Sequence, residues 1–315
     1  MPDKKISELT ELTSANAAND FLPAVDSSQT KTRKIKVANF PLSDSAERHA
    51  YPYTIEVSTG GVVTANNRTT IDKSMGFYNT GQPASIHIGT NVTSIGSQAF
   101  YGSSLTNLHI PNSVTSIAQE AFARNIDIVN LTISDSVTVI TGSSFYDCRS
   151  LISLKIPDSV ITIENMAFRD CTSLANLVIP DSVTSLGNYA FSSSAITSLT
   201  IPDSVITIGS FAFYRCPNLT SVTIGNSVTS IGSHGFYDCN SLETVTIGNS
   251  VTSIGPNVFR GCENLATINC LAADAPTLST NVFQGVSATT INVPVGSTGY
   301  GTTYGGLTVV EDSNL

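Results

Sequence analysis

The sequence predicts a β-rich solenoid, a stack of about eight repeats of 22 or 23 residues and a degraded ninth, with a cap at each end. Three observations carry that expectation. One apolar phrase returns at a near-constant interval between Ile88 and Val293. Only 12% of the 315 residues are charged, so the exposed positions fall largely to Ser, Thr and Asn. Ile, Val and Thr recur throughout the repeat, and these side chains suit a pleated, half-buried surface.

The phrase runs Ile-Pro-Asp-Ser-Val, then an Ile or Leu, then Ala-Phe, a Cys, and Leu-x-x-Leu-x-Ile. Its closing position is Ile88, Ile110, Ile133, Ile156, Ile179, Ile201, Ile224 and Ile247, followed by Cys270 and Val293. Two steps are 22 residues long and the others 23. Both short steps lose a residue from the same turn, Tyr101 to Ser104 and Ser192 to Ala195. That turn therefore tolerates a deletion, while the apolar frame around it does not. Val160, Val183 and Val205, Ile163, Leu186 and Ile208, and Phe168, Phe191 and Phe213 are expected to point inward with the closing Leu-x-x-Leu-x-Ile. The closing segment, as at Leu219 to Ile224, alternates apolar and polar, which predicts a short strand pairing in parallel with its equivalents one repeat away. This is a leucine-rich repeat array.

A lone repeat buries too few apolar side chains to offset the ordering of its backbone, roughly 1–2 kcal/mol per residue. Only the stack folds, and its open ends need caps. Residues 51–84 contain Thr54 to Val57 and Gly61 to Thr64 without the repeat phrase and are read as the N-terminal cap. Residues 85–270 are the array. Residues 271–315 hold the degraded repeat, which keeps Phe283 and Ile291 to Val293, and a Gly- and Tyr-rich tail from Gly296 to Gly306 expected to fold over the last turn.

Val205 to Leu219 matches throughout the pattern Ile-Pro-x-x-Val-x-x-Ile-x-x-x-Ala-Phe-x-x-Cys-x-x-Leu. The array from about Ser85 to Val293 thereby resembles the BspA-type leucine-rich repeats of bacterial and protist surface proteins. The resemblance implies adhesion to proteins or glycans, and no catalysis.

Residues 1–50 differ in kind. They hold 7 of the 15 Lys and Arg and 7 of the 24 Asp and Glu, leaving the rest of the chain sparse in charge and acidic. Pro41, Ser43, Asp44, Ser45 and Pro52 mark the boundary with turn and linker residues. Lys5 to Leu12, Asp20 to Asp26 and Arg33 to Asn39 are similar to N-terminal segments of tailed-bacteriophage fibre and head-appendage proteins. That resemblance implies docking on virion structural proteins through Ile6, Leu9, Leu12, Phe21, Leu22, Val25, Ile35 and Val37. By analogy with fibres it also implies a homotrimer.

A net charge of -9 without basic runs argues against a nucleic-acid partner. No stretch of eighteen apolar residues occurs, so no membrane insertion is expected, and Met1 to Asn19 lacks the hydrophobic run of a secretory signal. On this reading the chain is made soluble inside the producing cell.

Several constellations invite a chemical reading. Cys148, Cys171, Cys216, Cys239 and Cys262 share one slot, which Asn125 fills in an earlier repeat. Side chains in equivalent slots of parallel turns point the same way, which is poor disulfide geometry, and no CxxC or Cys-His spacing supports zinc. Buried reduced thiols are expected. Asp135, Asp158, Asp181 and Asp203, then Asn226 and Asn249, recur in one turn slot. Such a row has the chemistry of a calcium site, but Pro-Asp-Ser and Gly-Asn-Ser are what a β-turn asks for. His87 and His109 share a strand slot on adjoining turns, and two imidazoles do not make a metal site. His234 lies in another slot. No Ser-His-Asp set, P-loop, HExxH or GxSxG occurs, so neither catalysis nor a cofactor is expected.

The exposed strand positions include Thr106, Asn107, His109, Asn130, Thr132, Ser153, Lys155, Asn176, Thr197, Ser198, Thr200, Thr220, Ser221, Thr223, Thr244, Thr246 and Thr267. They predict a polar, nearly uncharged strip able to hydrogen-bond a host-surface glycan or protein, although Thr also simply favours solvent-facing strand positions. The leading expectation is a virion appendage, a head or tail fibre component docked by its N-terminus and displaying the solenoid to the host. The alternatives are a capsid decoration protein that binds other virion proteins and a cellular BspA-like adhesin at the cell surface. Polysaccharide-degrading tailspikes are the contrasting enzymatic class, and here the aromatic slot they would need is committed to the core.

Overall fold

The computed structural model describes residues 70–73 and 85–315, together with the backbone of three strands, β1 (Arg33–Val37), β2 (Tyr53–Val57) and β3 (Val62–Asn66). These three form an antiparallel meander whose last strand pairs in parallel with the first strand of the solenoid. Ile6, Leu9, Leu12, Phe21, Leu22 and Val25 lie outside the described residues, and Ile35 and Val37 fall in β1.

Each turn of the solenoid carries two short strands. The main face is built from β5 (Ser85–Ile88), β7 (Asn107–His109), β9 (Asn130–Thr132), β11 (Ser153–Lys155), β13 (Asn176–Val178), β15 (Ser198–Ile201), β17 (Ser221–Ile224), β19 (Thr244–Ile247), β21 (Thr267–Cys270) and β23 (Thr290–Pro294). Two-residue strands build a second face: β4 (Thr70–Ile71), β6 (Ser94–Ile95), β8 (Ser116–Ile117), β10 (Val139–Ile140), β12 (Thr162–Ile163), β14 (Ser185–Leu186), β16 (Thr207–Ile208), β18 (Ser230–Ile231), β20 (Ser253–Ile254) and β22 (Thr277–Leu278). Strands pair in parallel with equivalent residues opposite one another, as in Leu199 to Val222 and Ile208 to Ile231, and the ladders are interrupted between β9 and β11 and between β13 and β15 on the main face and between β8 and β10 on the second. The sequence reading placed Ile163, Leu186 and Ile208 inward but foresaw no second sheet, because two residues are too few to display an alternating pattern.

The core is a bundle of columns. The Val, Ile and Leu columns are buried from Ile71 to Val293. At the centre Phe100, Phe122, Phe145, Phe168, Phe191, Phe213, Phe236, Phe259 and Phe283 stack one on the next at 5.2–5.8 Å and within 8° of parallel. The turn spacing sets this distance, and the ring offset at such separations is favourable.

The arc that carries Ala-Phe is neither strand nor helix. Two residues in every turn take positive φ: the one two before the Phe, such as Met166 (59°), Tyr189 (57°) and Phe211 (59°), and the one two after it, such as Asp147 (61°) and Arg215 (53°). A left-handed conformation costs an L-residue roughly 1–2 kcal/mol. It is held here because it turns alternate N–H groups along the stack, so that Met166, Phe168 and Asp170 donate to the carbonyls of Asn188, Ala190 and Ser192 in the next turn.

The Cys slot serves the same arc. Cys148, Cys171, Cys216, Cys239 and Cys262 each aim Sγ at the carbonyl of the Phe one turn earlier, at 3.1–3.6 Å. All six cysteines of the chain are free and buried. In the two short turns a different group does this work. Ser194 donates to the Phe191 carbonyl at 2.7 Å. After the first short turn the fully buried Asn125 donates to the carbonyls of Phe100 (2.6 Å) and Phe122 (2.9 Å) and accepts the Leu105 N–H (3.4 Å). Asn125→Ala strands these groups in an apolar interior, and we expect it to cost about 1–3 kcal/mol in urea unfolding. A loss near zero would mean that water or a backbone shift replaces the amide.

Burial raises the thiol pKa values of Cys148, Cys171 and Cys239 above 9.0, to about 12 for Cys171. The same cause raises the phenols of Tyr300 and Tyr304 above 10.0. Above pH 9 the native state keeps protons that an unfolded thiol, with its pKa of 9.0, releases. This stabilisation is complete below that pH and is lost as pH climbs through the folded values. We expect the urea midpoint to fall as pH rises from about 9 towards about 12; a flat profile would show that the thiols are open to solvent.

At the far end β24 (Thr303–Tyr304) and β25 (Leu307–Asp312) form a hairpin that adds to β23. Its turn uses Gly305 (φ 61°) and Gly306 (φ 88°), and a Cβ on Gly305 would stand 2.7 Å from the Phe283 ring. Residues 296–306 lie over the last turn, with the Tyr300 hydroxyl donating to the Ala272 carbonyl (2.8 Å) and that of Tyr304 to the Pro276 carbonyl (2.5 Å).

Candidate functional site

Strand alternation sends every second side chain of the main face outward, and parallel register lines those side chains into two columns. One column runs through Asn107, Asn130, Ser153, Asn176, Ser198, Ser221, Thr244 and Thr267; the other through His109, Thr132, Lys155, Val178, Thr200, Thr223 and Thr246. Thr106, Thr197 and Thr220 flank the strands. All of these side chains reach the surface, and Thr106, Thr244 and Thr246 are half-buried. The fold thus gathers the whole strip on one face.

Neighbouring turns are tied along this face by side chains. Asn130 donates to the Asn107 side-chain carbonyl at 2.7 Å, Asn292 to that of Asn269 at 2.9 Å, and the Thr220 hydroxyl to the Thr197 carbonyl at 2.9 Å. Asn269 and Asn292 extend the strip beyond the residues expected from sequence; Asn269 shares β21 with Thr267, and Asn292 sits in the degraded repeat, where the phrase has faded. The strip is also less uniformly polar than its composition implied. Val178 is 68% exposed beside Lys155, and Ile152, just before β11, is 50% exposed. Among the described residues Lys155 carries the only formal charge in the two columns.

The register that places Ser85 opposite Asn107 sets the exposed His87 beside the exposed His109. Among the described residues no three His, Cys, Asp or Glu side chains gather as a metal ion would require. The Asx row runs along a turn edge and works partly as a ladder: Asp203 accepts the Asn226 N–H at 2.6 Å and Asn226 accepts that of Asn249 at 3.2 Å. The next residue of the same turn bonds too, since Ser159, Ser182 and Ser204 donate to Val carbonyls one turn earlier at 2.7 Å. These bonds explain Asp-Ser and Asn-Ser as connectors between turns.

His234 belongs to the opposite arc. Its ring stacks on Phe211 at 4.6 Å, and Phe211 on Tyr189 at 4.5 Å. Its nitrogens contact Ser233 Oγ (2.5 Å) and Asn257 Nδ2 (3.1 Å), and burial followed by the nearby Arg260 lowers its pKa below 6.5. Among the described residues no helix is long and apolar enough to cross a membrane.

The repeat geometry is shared with known proteins. A leucine-rich repeat protein from Bacteroides ovatus is similar at 26% identity with a TM-score of 0.59, over 78% of this chain and 75% of that one. A leucine-rich cell surface protein from Faecalibacterium prausnitzii aligns at 23% identity with a TM-score of 0.44, over 86% and 96% of the two chains. The pneumococcal vaccine antigen PcpA aligns at 22% identity with a TM-score of 0.47, over 75% and 69%. No curated protein sequence matches the chain. Residues 69–197 and 184–303 match the BspA type leucine-rich repeat region in 6 copies. That match spans well over half of the sequence, and the chain belongs to the BspA-type leucine-rich repeat family.

Proposed function

We propose that this protein is a non-catalytic binding protein, a surface-displayed adhesin that recognises a host glycan or protein through its main face. The observation that carries this reading is the pair of outward columns, running from Asn107 to Thr267 over the paired strands β7–β9, β11–β13 and β15–β21 and almost free of charge. Side chains such as Ser221 and Thr223 offer hydroxyl donors and acceptors at a regular spacing of about 4.8 Å, and short Thr and Ser rotors lose little entropy on binding. Family membership supports the adhesin over an enzyme. The core position of the Phe column also leaves the main face without the aromatic and acidic groove that glycan cleavage needs.

The test is binding of the full chain to arrays of host glycans and host-surface proteins, with Thr200→Arg and Thr223→Arg combined as the variant. Loss of at least tenfold in the variant, at unchanged melting temperature, is the expected result; equal binding would remove the main face as the site. New reducing ends on incubation with host polysaccharide would overturn the non-catalytic reading.

A virion appendage is the second reading. It is supported by the strings in residues 1–50, which lie outside the described residues except for β1, and the repeat family lends it nothing. Docking on virion proteins, a homotrimer and a capsid-decoration role all belong to this second reading. Immunogold labelling with antibody to residues 85–293 separates the two. Label on cell envelopes is expected, and label on capsids or tails would reverse the order.

A further inference from the structure

The first short turn leaves a notch at the end of the arc, where the chain leads into the main-face strands β7 and β9. Between Phe100 and Leu105 the chain is one residue shorter than between Phe122 and Ile128 in the turn below, so the upper loop draws back. The uncovered space has a volume of about 410 Å³ and is walled by Gly102, Ser103, Ser104, Ile126 and Tyr146, with Arg124 and Arg149 at its sides. Ile126 is 46% exposed there.

The two guanidinium groups are held differently. Arg149 makes a two-pronged contact with Asp147, Nε to Oδ1 at 2.6 Å and Nη2 to Oδ2 at 3.3 Å. The Asp147 side chain is only 8% exposed while that of Arg149 is 62% exposed, so the acid fixes one edge of the guanidinium and leaves the other to solvent. Arg124 lies over the Tyr101 ring at 5.7 Å and pairs with no carboxylate among the described residues. The notch thus carries two cations against one buried anion. It does so in a chain whose charged residues beyond 50 are predominantly acidic.

The second short turn repeats this frame four turns further on, about 19 Å along the stack. Arg215 stands where Arg124 does, Pro217 for Ile126, Tyr237 for Tyr146 and Asp238 for Asp147, and Arg260 covers Tyr237 at 6.0 Å as Arg169 covers Tyr146 at 5.9 Å. Its charges differ. Asp238 reaches Arg215 at 3.4 Å, and Asn240 replaces Arg149. Asp238 thus engages Arg215 directly, whereas no carboxylate among the described residues pairs with Arg124.

We propose that the Arg124–Arg149 notch binds a carboxylated sugar unit, with the carboxylate between the two guanidinium groups and the sugar ring against Tyr146 and Ile126. Arginine suits this chemistry because its planar fork matches a carboxylate, and an aromatic or aliphatic wall suits the C–H face of a pyranose. A cavity of this size accommodates one or two sugar residues. The site is independent of the main face and stands or falls apart from the adhesin reading.

The experiment is an NMR titration of the full chain with trigalacturonate, with maltotriose as the neutral trisaccharide and triglutamate as a carboxylate source that is not a sugar. Arg124→Gln and Arg149→Gln test the notch, and Arg215→Gln tests its twin. Trigalacturonate is expected to bind at least tenfold more tightly than either comparison ligand. Either notch variant should weaken it at least tenfold with the spectrum otherwise preserved, and Arg215→Gln should leave it unchanged. The proposal is overturned if trigalacturonate shows no saturable binding, if maltotriose or triglutamate binds as tightly, or if both notch variants bind like the parent.

Discussion

Phe191→Ala is expected to lower the free energy of unfolding by about 3–5 kcal/mol, the range for truncating a fully buried aromatic. The ring is inaccessible to solvent and is sandwiched between Phe168 (5.5 Å, 6°) and Phe213 (5.6 Å, 8°). The neighbouring rings cannot collapse onto the gap, because strand pairing on the second face, and on the main face towards Phe213, fixes the distance between turns. A solenoid also draws its stability from contacts between adjacent turns, so weakening one contact loosens the coupling of the two halves. We expect hydrogen exchange to speed up first in the turns bordering Phe191 and urea unfolding to lose cooperativity. A loss below about 1 kcal/mol would mean that the Phe column fills space without holding the stack together.

Gly209→Ala should be nearly as damaging for the opposite reason. A Cβ there would stand 2.6 Å from the Gly187 carbonyl carbon and 2.7 Å from the Asn188 nitrogen, both backbone atoms of the preceding turn. Backbone held in a parallel ladder cannot step aside, and overpacking of this kind costs about 1–3 kcal/mol. Gly142→Ala is the internal control, since its nearest neighbours would be the Asn165 carbonyl oxygen at 3.4 Å and Glu164 Oε2 at 3.7 Å. Paired melting curves should show a clear fall for Gly209→Ala and little change for Gly142→Ala. Equal melting temperatures would show that turns slide apart more readily than their hydrogen bonds suggest.

These two sites were legible in the sequence to different degrees. Phe191 stood in a column because its spacing from Phe168 and Phe213 was fixed, and hydrophobic spacing is a direct record of which way a side chain points. Gly209 was invisible, because nothing local tells a glycine in a turn from one pressed against another turn. The same holds for Asn125: its slot was evident, but two of its three hydrogen bonds depend on the Phe100 and Leu105 backbone groups of the shortened turn beside it.

The outward strip was readable for a similar reason, since alternation within each strand and a constant period between strands leave only one way to align Thr200 with Thr223. Its extension to Asn292 was missed because Leu271 to Val293 keeps little of the phrase, whereas Asn269 stands in the last intact repeat and was open to the same reading as Thr267. The notch escaped notice altogether. Arg124 and Arg149 occupy different slots of successive turns, so no period connects them, and the deletion in the turn above is what opens the space between.

By itself, then, the sequence determined the solenoid, its period, the identity of the inward columns and the outward face, because repetition converts one residue's environment into that of its equivalents. The tertiary structure alone decided the second sheet, the left-handed residues around each Phe and the notch between Arg124 and Arg149. Two-residue strands are too short to show alternation, the left-handed positions share no residue type, and the notch joins slots that no period connects, so a pattern read along one chain records none of them.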